Sequence, residues 1–299
     1  MKLMIGLPWY EGPDGDTTPL YFDQMIYYGG LMERSFWVQQ LGVDKAMEHM
    51  EHLPALDGSP DADGLGEPTR EDWERIGQLK IAVCNYMRTS LVGLARERVA
   101  ESAQMWDADY LFWWDADMKF PASTLLQLLR HDKPMVGALA FTARYPFHPV
   151  LYRIREKKVA GQKMMENSDV VMDYPLNQLV GNDDIGGELS TGGAVVLYNM
   201  MVFKEVEKPW FTSTGCGEDW FFCHRLKDHN ISRFVDTSIK VQHKEHTPQW
   251  VDGERYWKAR KDAREDYVRQ FGETISTVSK EPVVTDLYGS PLQNGREKV

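Results

Sequence analysis

The sequence predicts an α/β fold: a three-layer α/β/α sandwich around a mostly parallel central sheet. Three observations predict it. Short apolar runs, above all Tyr110-Leu-Phe-Trp-Trp114, are continuous rather than alternating, as expected of strands covered on both faces. Segments with helical apolar spacing stand between those runs. The run at Tyr110–Trp114 ends abruptly in Asp115-Ala-Asp117, and polar groups beyond the carboxyl ends of strands are where open α/β sheets bind ligands.

Taken in order, Lys2 to Leu7 is a buried first strand that stops at Pro8-Trp9-Tyr10. Leu20 to Leu41, rich in aromatics and Met, reads as helical, with Gly29-Gly30 expected to break it. Leu53 to Thr69 sets Pro54, Gly58, Pro60, Gly64, Gly66 and Pro68 among acids. It reads as a solvated loop, so an insertion is expected over about 51–72. Lys80 to Cys84 is a strand, and Ser90 to Trp106 a helix with Leu91, Leu94, Ala95, Val99 and Ala103 at helical spacing. Pro121 and Ser123 start a helix through Leu125, Leu126, Leu128 and Leu129, and Met135 to Phe141 is a buried strand. Arg144 to Asp184 is polar and less regular. Ala194 to Tyr198 reads as a strand, Glu218 to His229 as a helix, Phe234 to Val241 as a strand, and Glu254 to Phe271 as a charged helix. The expected organisation is one domain over 1–249, followed over 250–299 by a C-terminal helix and a polar tail.

Composition narrows the function. The 299 residues suffice for a sizeable core. Acids outnumber bases 45 to 34, a net charge of −11, which argues against a general nucleic-acid binder. No apolar run approaches the roughly 20 residues of a membrane span. The start, Met1 to Pro8, is too soon broken for a signal peptide. Three cysteines make no disulfide framework, so a cytoplasmic location is expected.

Three constellations carry chemistry. Asp115 and Asp117, leaving a buried strand, offer hard oxygen ligands suited to Mg²⁺ or Mn²⁺, and the cation can in turn hold a diphosphate. In Gly215-Cys-Gly-Glu218-Asp219, an acid near a reacting centre can take a proton from a hydroxyl, while acids in a first helical turn also serve the helix dipole. His243 follows a strand, with His246 three residues on. The other ligands of a zinc site are missing, and an imidazole also suits Mn²⁺ beside carboxylates.

In their order, these stretches resemble the GT-A glycosyltransferases, in a form similar to family 2. Asp109-Tyr-Leu-Phe-Trp-Trp-Asp-Ala-Asp-Met-Lys-Phe-Pro121 resembles their DXD metal-binding segment, and Gly217-Glu-Asp-Trp-Phe-Phe-Cys-His-Arg225 with Val241-Gln-His243 matches later motifs. Ile5-Gly-Leu-Pro-Trp-Tyr-Glu-Gly12 is similar to the first strand and loop, and Leu94-Ala-Arg-Glu-Arg-Val-Ala100 to an Ala-Arg-Asn helix, with Glu97 in place of Asn. The resemblance spans about Met1 to Thr247 and implies a Rossmann-like GT-A domain. It implies a metal-dependent hexosyltransferase with Mn²⁺ or Mg²⁺ as cofactor and a nucleotide sugar, expected to be a UDP-sugar, as donor. Asp117 and His243 would be metal ligands, and Asp115 would hold the ribose or the metal's water. Pro8, Trp9 and Tyr10 would border the base, and Arg96 would contact the donor. Asp219, ahead of Glu218, would be the base of an inverting mechanism. Thr191, Gly192 and Gly193 would line the side of the acceptor, which is a sugar, a protein or a modified nucleobase. Trp9, Trp210 and Trp250 are candidates to stack on a base or sugar.

The rivals differ in particular residues. A nucleotidyltransferase normally carries a Gly-rich basic loop after the first strand, and here that place holds Pro8-Trp9-Tyr10-Glu11. A glycoside hydrolase also uses paired carboxylates, whereas a non-catalytic binding module has no need of an acid pair, a base and a histidine at strand ends. A P-loop and a Gly-x-Gly-x-x-Gly fingerprint are both absent. A virus-encoded enzyme acting on DNA bases or proteins is a narrower form of the transferase reading.

Overall fold

A computed structural model describes residues 1–7, 18–49, 69–85, 91–121, 123–144, 146–159, 162–212, 217–244, 250–254, 256–258 and 261. Its elements begin with β1 (Lys2–Leu7), α1 (Thr18–Leu41), α2 (Val43–His49), α3 (Arg70–Ile76), β2 (Lys80–Asn85), α4 (Val92–Met105), β3 (Tyr110–Trp114) and β4 (Met118–Lys119). There follow α5 (Thr124–Arg130), β5 (Met135–Ala138), β6 (Leu151–Val159), β7 (Gln162–Val170), β8 (Leu179–Val180), α6 (Asn182–Ile185) and β9 (Leu189–Thr191). The last are β10 (Val195–Asn199), α7 (Val202–Glu205), α8 (Glu218–Asp228), β11 (Arg233–Asp236), β12 (Gln242–Lys244) and β13 (Trp250–Val251).

The central sheet has seven strands in the order β2-β1-β3-β10-β5-β11-β8. β1 is parallel to β2 and β3, and β5 to β11, while β10 is antiparallel to β3 and β5, and β8 to β11. β2, β1, β3, β5 and β11 therefore share one direction, and the expected mostly parallel sheet is present. Its faces follow from the period of two. Leu3, Ile5, Phe112, Trp114, Val195 and Leu197 pack on one side with Leu31 of α1, Ile76 of α3 and Leu125 of α5. Met4, Leu111, Trp113, Val196 and Tyr198 pack on the other with Val99 of α4, Phe203 of α7 and Phe222 of α8. Two clusters on opposite faces make the three layers, which explains why these strands are apolar throughout.

Several expectations are corrected. Gly29-Gly30 does not break α1, which runs on to Leu41. A glycine costs a helix about 1 kcal/mol, but Tyr28 and Leu31 beside the pair are buried in the core, and each such burial returns about 1.5–3 kcal/mol. Most of the expected insertion lies outside the described residues, yet its end is ordered. Thr69 caps α3 in a reciprocal capping box with Asp72, and Asp72 is buried against Arg130. The polar middle contains a long hairpin, β6 with β7. Only Leu151–Arg153 of β6 gains a third partner, β9, so most of the ribbon has two strands and no apolar alternation to betray it. The strand expected over Phe234 to Val241 stops at Asp236, and residues 242–244 join a separate small sheet, β13-β12-β4. The start of the expected C-terminal segment packs on the body: β13 pairs with β12, and Tyr256 is fully buried, stacked on Phe141 at 5.2 Å.

Candidate active site

The site lies at the carboxyl end of β3. Trp114 is buried and its indole N–H donates to the Met118 carbonyl at 3.3 Å, so the chain turns tightly through Asp115 and Asp117. The Asp115 amide donates to the Ala194 carbonyl at 2.9 Å, which ties the turn to the start of β10. β4 then pairs with β12, setting His243 opposite Met118, while the Lys244 amide donates to the Asp117 carbonyl at 2.9 Å. This small sheet brings His243 to Asp117 across 126 residues of chain: Nε2 stands 3.2 Å from Oδ2.

The imidazole is oriented from behind. Nδ1 lies 2.6 Å from the Phe141 carbonyl, which can only accept, so Nδ1 carries a hydrogen. In the neutral ring, the Nε2 lone pair then faces a carboxylate oxygen. Two acceptors at that distance need a proton or a cation between them, and a backbone-anchored Nδ1–H is the usual support of a metal-ligating histidine. Burial works against the imidazolium, but Asp117 outweighs it and holds the His243 pKa above its ordinary value. Burial likewise opposes ionisation of Asp117, and His243 reverses it, leaving that carboxyl below the usual range. A carboxylate and an imidazole are donors that Mn²⁺ or Mg²⁺ accepts, so Asp117 and His243 are the residues that could hold such a cation. Asp115 is engaged elsewhere, and among the described residues no group of three or more His, Cys, Asp or Glu side chains is gathered to hold a metal.

Asp115 belongs to Arg96. The guanidinium Nη2 donates to Asp115 Oδ2 at 2.7 Å, and Nη1 lies 3.3 Å from Glu218 Oε1. Arg96, expected to contact the donor, is buried, with its side chain 4% exposed and lying over the Trp113 ring at 5.6 Å. Burial disfavours its charge, but Asp115, Asp219 and Glu218 outweigh that and raise its pKa. Burial pushes Asp115 up to about 7 despite the arginine. Asp219 is also raised, first by burial and then by the charge of Glu218.

Asp219 sits in the first turn of α8 with both oxygens engaged by backbone. The Gly193 amide donates to Oδ2 at 3.1 Å and the Trp220 amide to Oδ1 at 2.7 Å. Trp220 packs edge-on against Tyr152 at 4.5 Å, so an aromatic pair adjoins the acid. The expected acceptor residues are here. Gly192 comes close enough to Asp219 that a Cβ would lie 3.4 Å from Oδ2, while Thr191 is buried and donates its hydroxyl to the Val150 carbonyl at 2.8 Å.

The structure thus joins Arg96, Asp115, Glu218, Asp219 and Gly193 in one cluster and Asp117 with His243 in another. Pro8, Trp9, Tyr10, Cys216 and His246 lie outside the described residues. Trp210 is no stacking platform: it is core, edge-on to Phe203, with its indole N–H on the Val206 carbonyl at 2.7 Å. Glu97, noted only as a departure from Asn, accepts the amides of Trp210 and Phe211 at 3.0 and 2.9 Å. Sequence reasoning missed the Phe141 carbonyl, since a backbone group leaves no residue signal.

No family model matches the chain, and no curated protein matches it. Among solved structures it is similar to A197 from STIV, with 11% identity, 84% of this chain and 94% of that one covered, and a TM-score of 0.42. It is similar to apo UDP-glucose pyrophosphorylase at 8% identity, 89% and 98% coverage and a TM-score of 0.33. It is also similar to S. aureus TarS 1–349 in complex with UDP-GlcNAc, at 13% identity, 90% and 67% coverage and a TM-score of 0.32. The likeness is one of outline only.

Proposed function

We propose that the chain is a metal-dependent glycosyltransferase of the GT-A type, moving a sugar from a UDP-sugar to an acceptor hydroxyl. The observation that carries the reading is the approach of His243 to Asp117 at the end of β3, with Asp219 held at the head of α8 across the same sheet edge.

Asp117 and His243 would hold Mn²⁺ or Mg²⁺, and the bound cation supplies Lewis-acid neutralisation of the departing diphosphate. Asp219 receives the proton of the acceptor hydroxyl as that oxygen bonds the anomeric carbon and the bond from sugar to diphosphate breaks. Burial suits Asp219 to the task, because a raised pKa brings a carboxylate nearer the range of an effective base at neutral pH. Its backbone hydrogen bonds from Gly193 and Trp220 fix where the carboxylate points. Glu218 is committed to Arg96 and is the weaker candidate. Gly192 and Gly193 border the acceptor beside the Tyr152–Trp220 pair, and Pro8-Trp9-Tyr10 border the nucleotide. No helix among the described residues is long and apolar enough to cross a membrane, and the activity proposed is a cytoplasmic one.

The test is a thermal-shift screen with UDP-glucose and UDP-N-acetylglucosamine, with and without Mn²⁺, followed by assay of UDP release. A shift that requires both sugar nucleotide and metal is expected. A shift with a nucleoside triphosphate and pyrophosphate release instead would turn the reading toward the nucleotidyltransferase.

A further inference from the structure

We propose that Arg96, locked in place by Gly193, is a positioning residue that couples the two halves of the site: it fixes Asp115, on the turn carrying Asp117, against Glu218, beside the base Asp219. The assignment rests on the reading of Asp117 and Asp219 above and adds to it the device that sets their separation.

Arg96 reaches both halves. One nitrogen of its fork bonds Asp115 at 2.7 Å and the other stands 3.3 Å from Glu218. Asp115 lies beyond β3 and Glu218 opens α8, more than 100 residues later, so a shift of either element must break one of these contacts. The planar guanidinium spans two carboxylates, which a lysine ammonium on a flexible stem does not do in fixed geometry. The arginine itself is not free to move. Trp113 lies beneath it, and the helix that carries it is anchored by Val99, Ala100 and Ala103 in the core.

Gly193 closes the lock. A Cβ there would stand 2.2 Å from Arg96 Nη1, so only glycine lets β10 begin this close to the guanidinium. The same residue's amide holds Asp219 at 3.1 Å. One glycine therefore serves both the arginine and the base. The arrangement is also poor as a purely stabilising device. Among the described residues, Arg96 Nε and Nη1 are buried without a hydrogen bond, and three acids share one cation. Buried polar groups left so are costly, and sites kept at such cost are commonly functional.

The experiment has two arms. The first is thermal unfolding in chelator of wild type, R96M, the D115N/E218Q pair and the triple variant. R96M is expected to lower Tm, and that loss should shrink at least twofold in the D115N/E218Q background, where the held charges are gone. Equal losses in both backgrounds overturn the proposal and leave Arg96 a packing residue. R96K goes through the same cycle should R96M fail to fold.

The second arm is UDP release from UDP-glucose and UDP-N-acetylglucosamine with Mn²⁺. R96K should lose tenfold or more in kcat while donor KM stays within threefold, and G193A should behave alike. A tenfold rise in KM at unchanged kcat would place Arg96 on the donor and overturn the assignment. Wild-type protein that releases no UDP from either sugar speaks against the proposed function alone, and the unfolding cycle then decides the role of Arg96.

Discussion

Two buried carboxylate–arginine sites in this chain use the same groups in opposite balance. At the first turn of α3, one acid meets one arginine among the described residues: Asp72 accepts from Arg130 Nε at 2.8 Å and from the Thr69 amide and hydroxyl at 2.7 and 2.9 Å. Burial there works against the charge, but Arg130 and Thr69 outweigh it and hold Asp72 below the usual carboxylate range. Around Arg96, three acids share one cation, and burial carries Asp115 and Asp219 upward. Among the described residues, the first site pairs its charges one to one. The second crowds three acids about one arginine, with the Asp115 side chain 25% and the Glu218 side chain 18% exposed, an arrangement that costs stability and suits a place that receives a proton or a cation. The two sites differ in charge balance as well as in burial.

The largest effect should come from removing a working acid. Asp117→Ala is expected to cut UDP release by about 10³-fold or more, with Tm close to wild type, since the Asp117 side chain is half exposed. Asp72→Asn should do the reverse, leaving turnover intact while costing about 3 kcal/mol in urea unfolding, because it breaks a buried pair and part of a capping box. Equal stability losses in the two variants would erase the contrast.

The pH dependence sharpens it next, measured as Tm against pH in chelator. Asp72 has a folded pKa below that of the unfolded chain, so its contribution is complete above about pH 4 and is lost as pH falls through the folded value. Asp115 has the opposite sign. Its folded pKa of about 7 lies above the unfolded value, so the folded protein holds its proton more tightly. Stability from this group declines as pH rises from about 4 to about 7 and is level beyond. Asp115→Asn should remove that decline, and Asp72→Asn should remove part of the acid loss. The smallest effect is Glu97→Gln, about 1 kcal/mol in urea unfolding, for removing the charge from the one oxygen that accepts both backbone amides.

What the sequence disclosed follows the same line. The sheet was legible because strands covered on both faces must be apolar throughout, as Tyr110–Trp114 is. That Asp115, Asp117, Glu218, Asp219 and His243 stand at element ends was legible from the strand and helix pattern, and their types made them candidates. The partnership of Arg96 was not, since nothing in Leu94 to Ala100 says whether its guanidinium faces a ligand or two carboxylates. The β6–β7 hairpin stayed hidden because Arg153, Arg155, Glu156, Lys157 and Lys158 give its first strand the composition of a polar loop. The helix through Gly29-Gly30 was misjudged because local propensity yielded to the burial of Tyr28 and Leu31.

The reversed direction of β10 has a consequence for how such a chain can diversify. Because that strand enters the sheet at the carboxyl ends of its neighbours β3 and β5, its first residues, not its last, share the rim with Asp115, and Val195 is already locked opposite Trp114. Inserting or deleting a single residue between Gly193 and Val195 would turn every side chain of β10 to the wrong layer. Length changes are therefore barred at this point of the chain, whereas residues added or removed where β6 turns into β7 leave the register of β10 untouched.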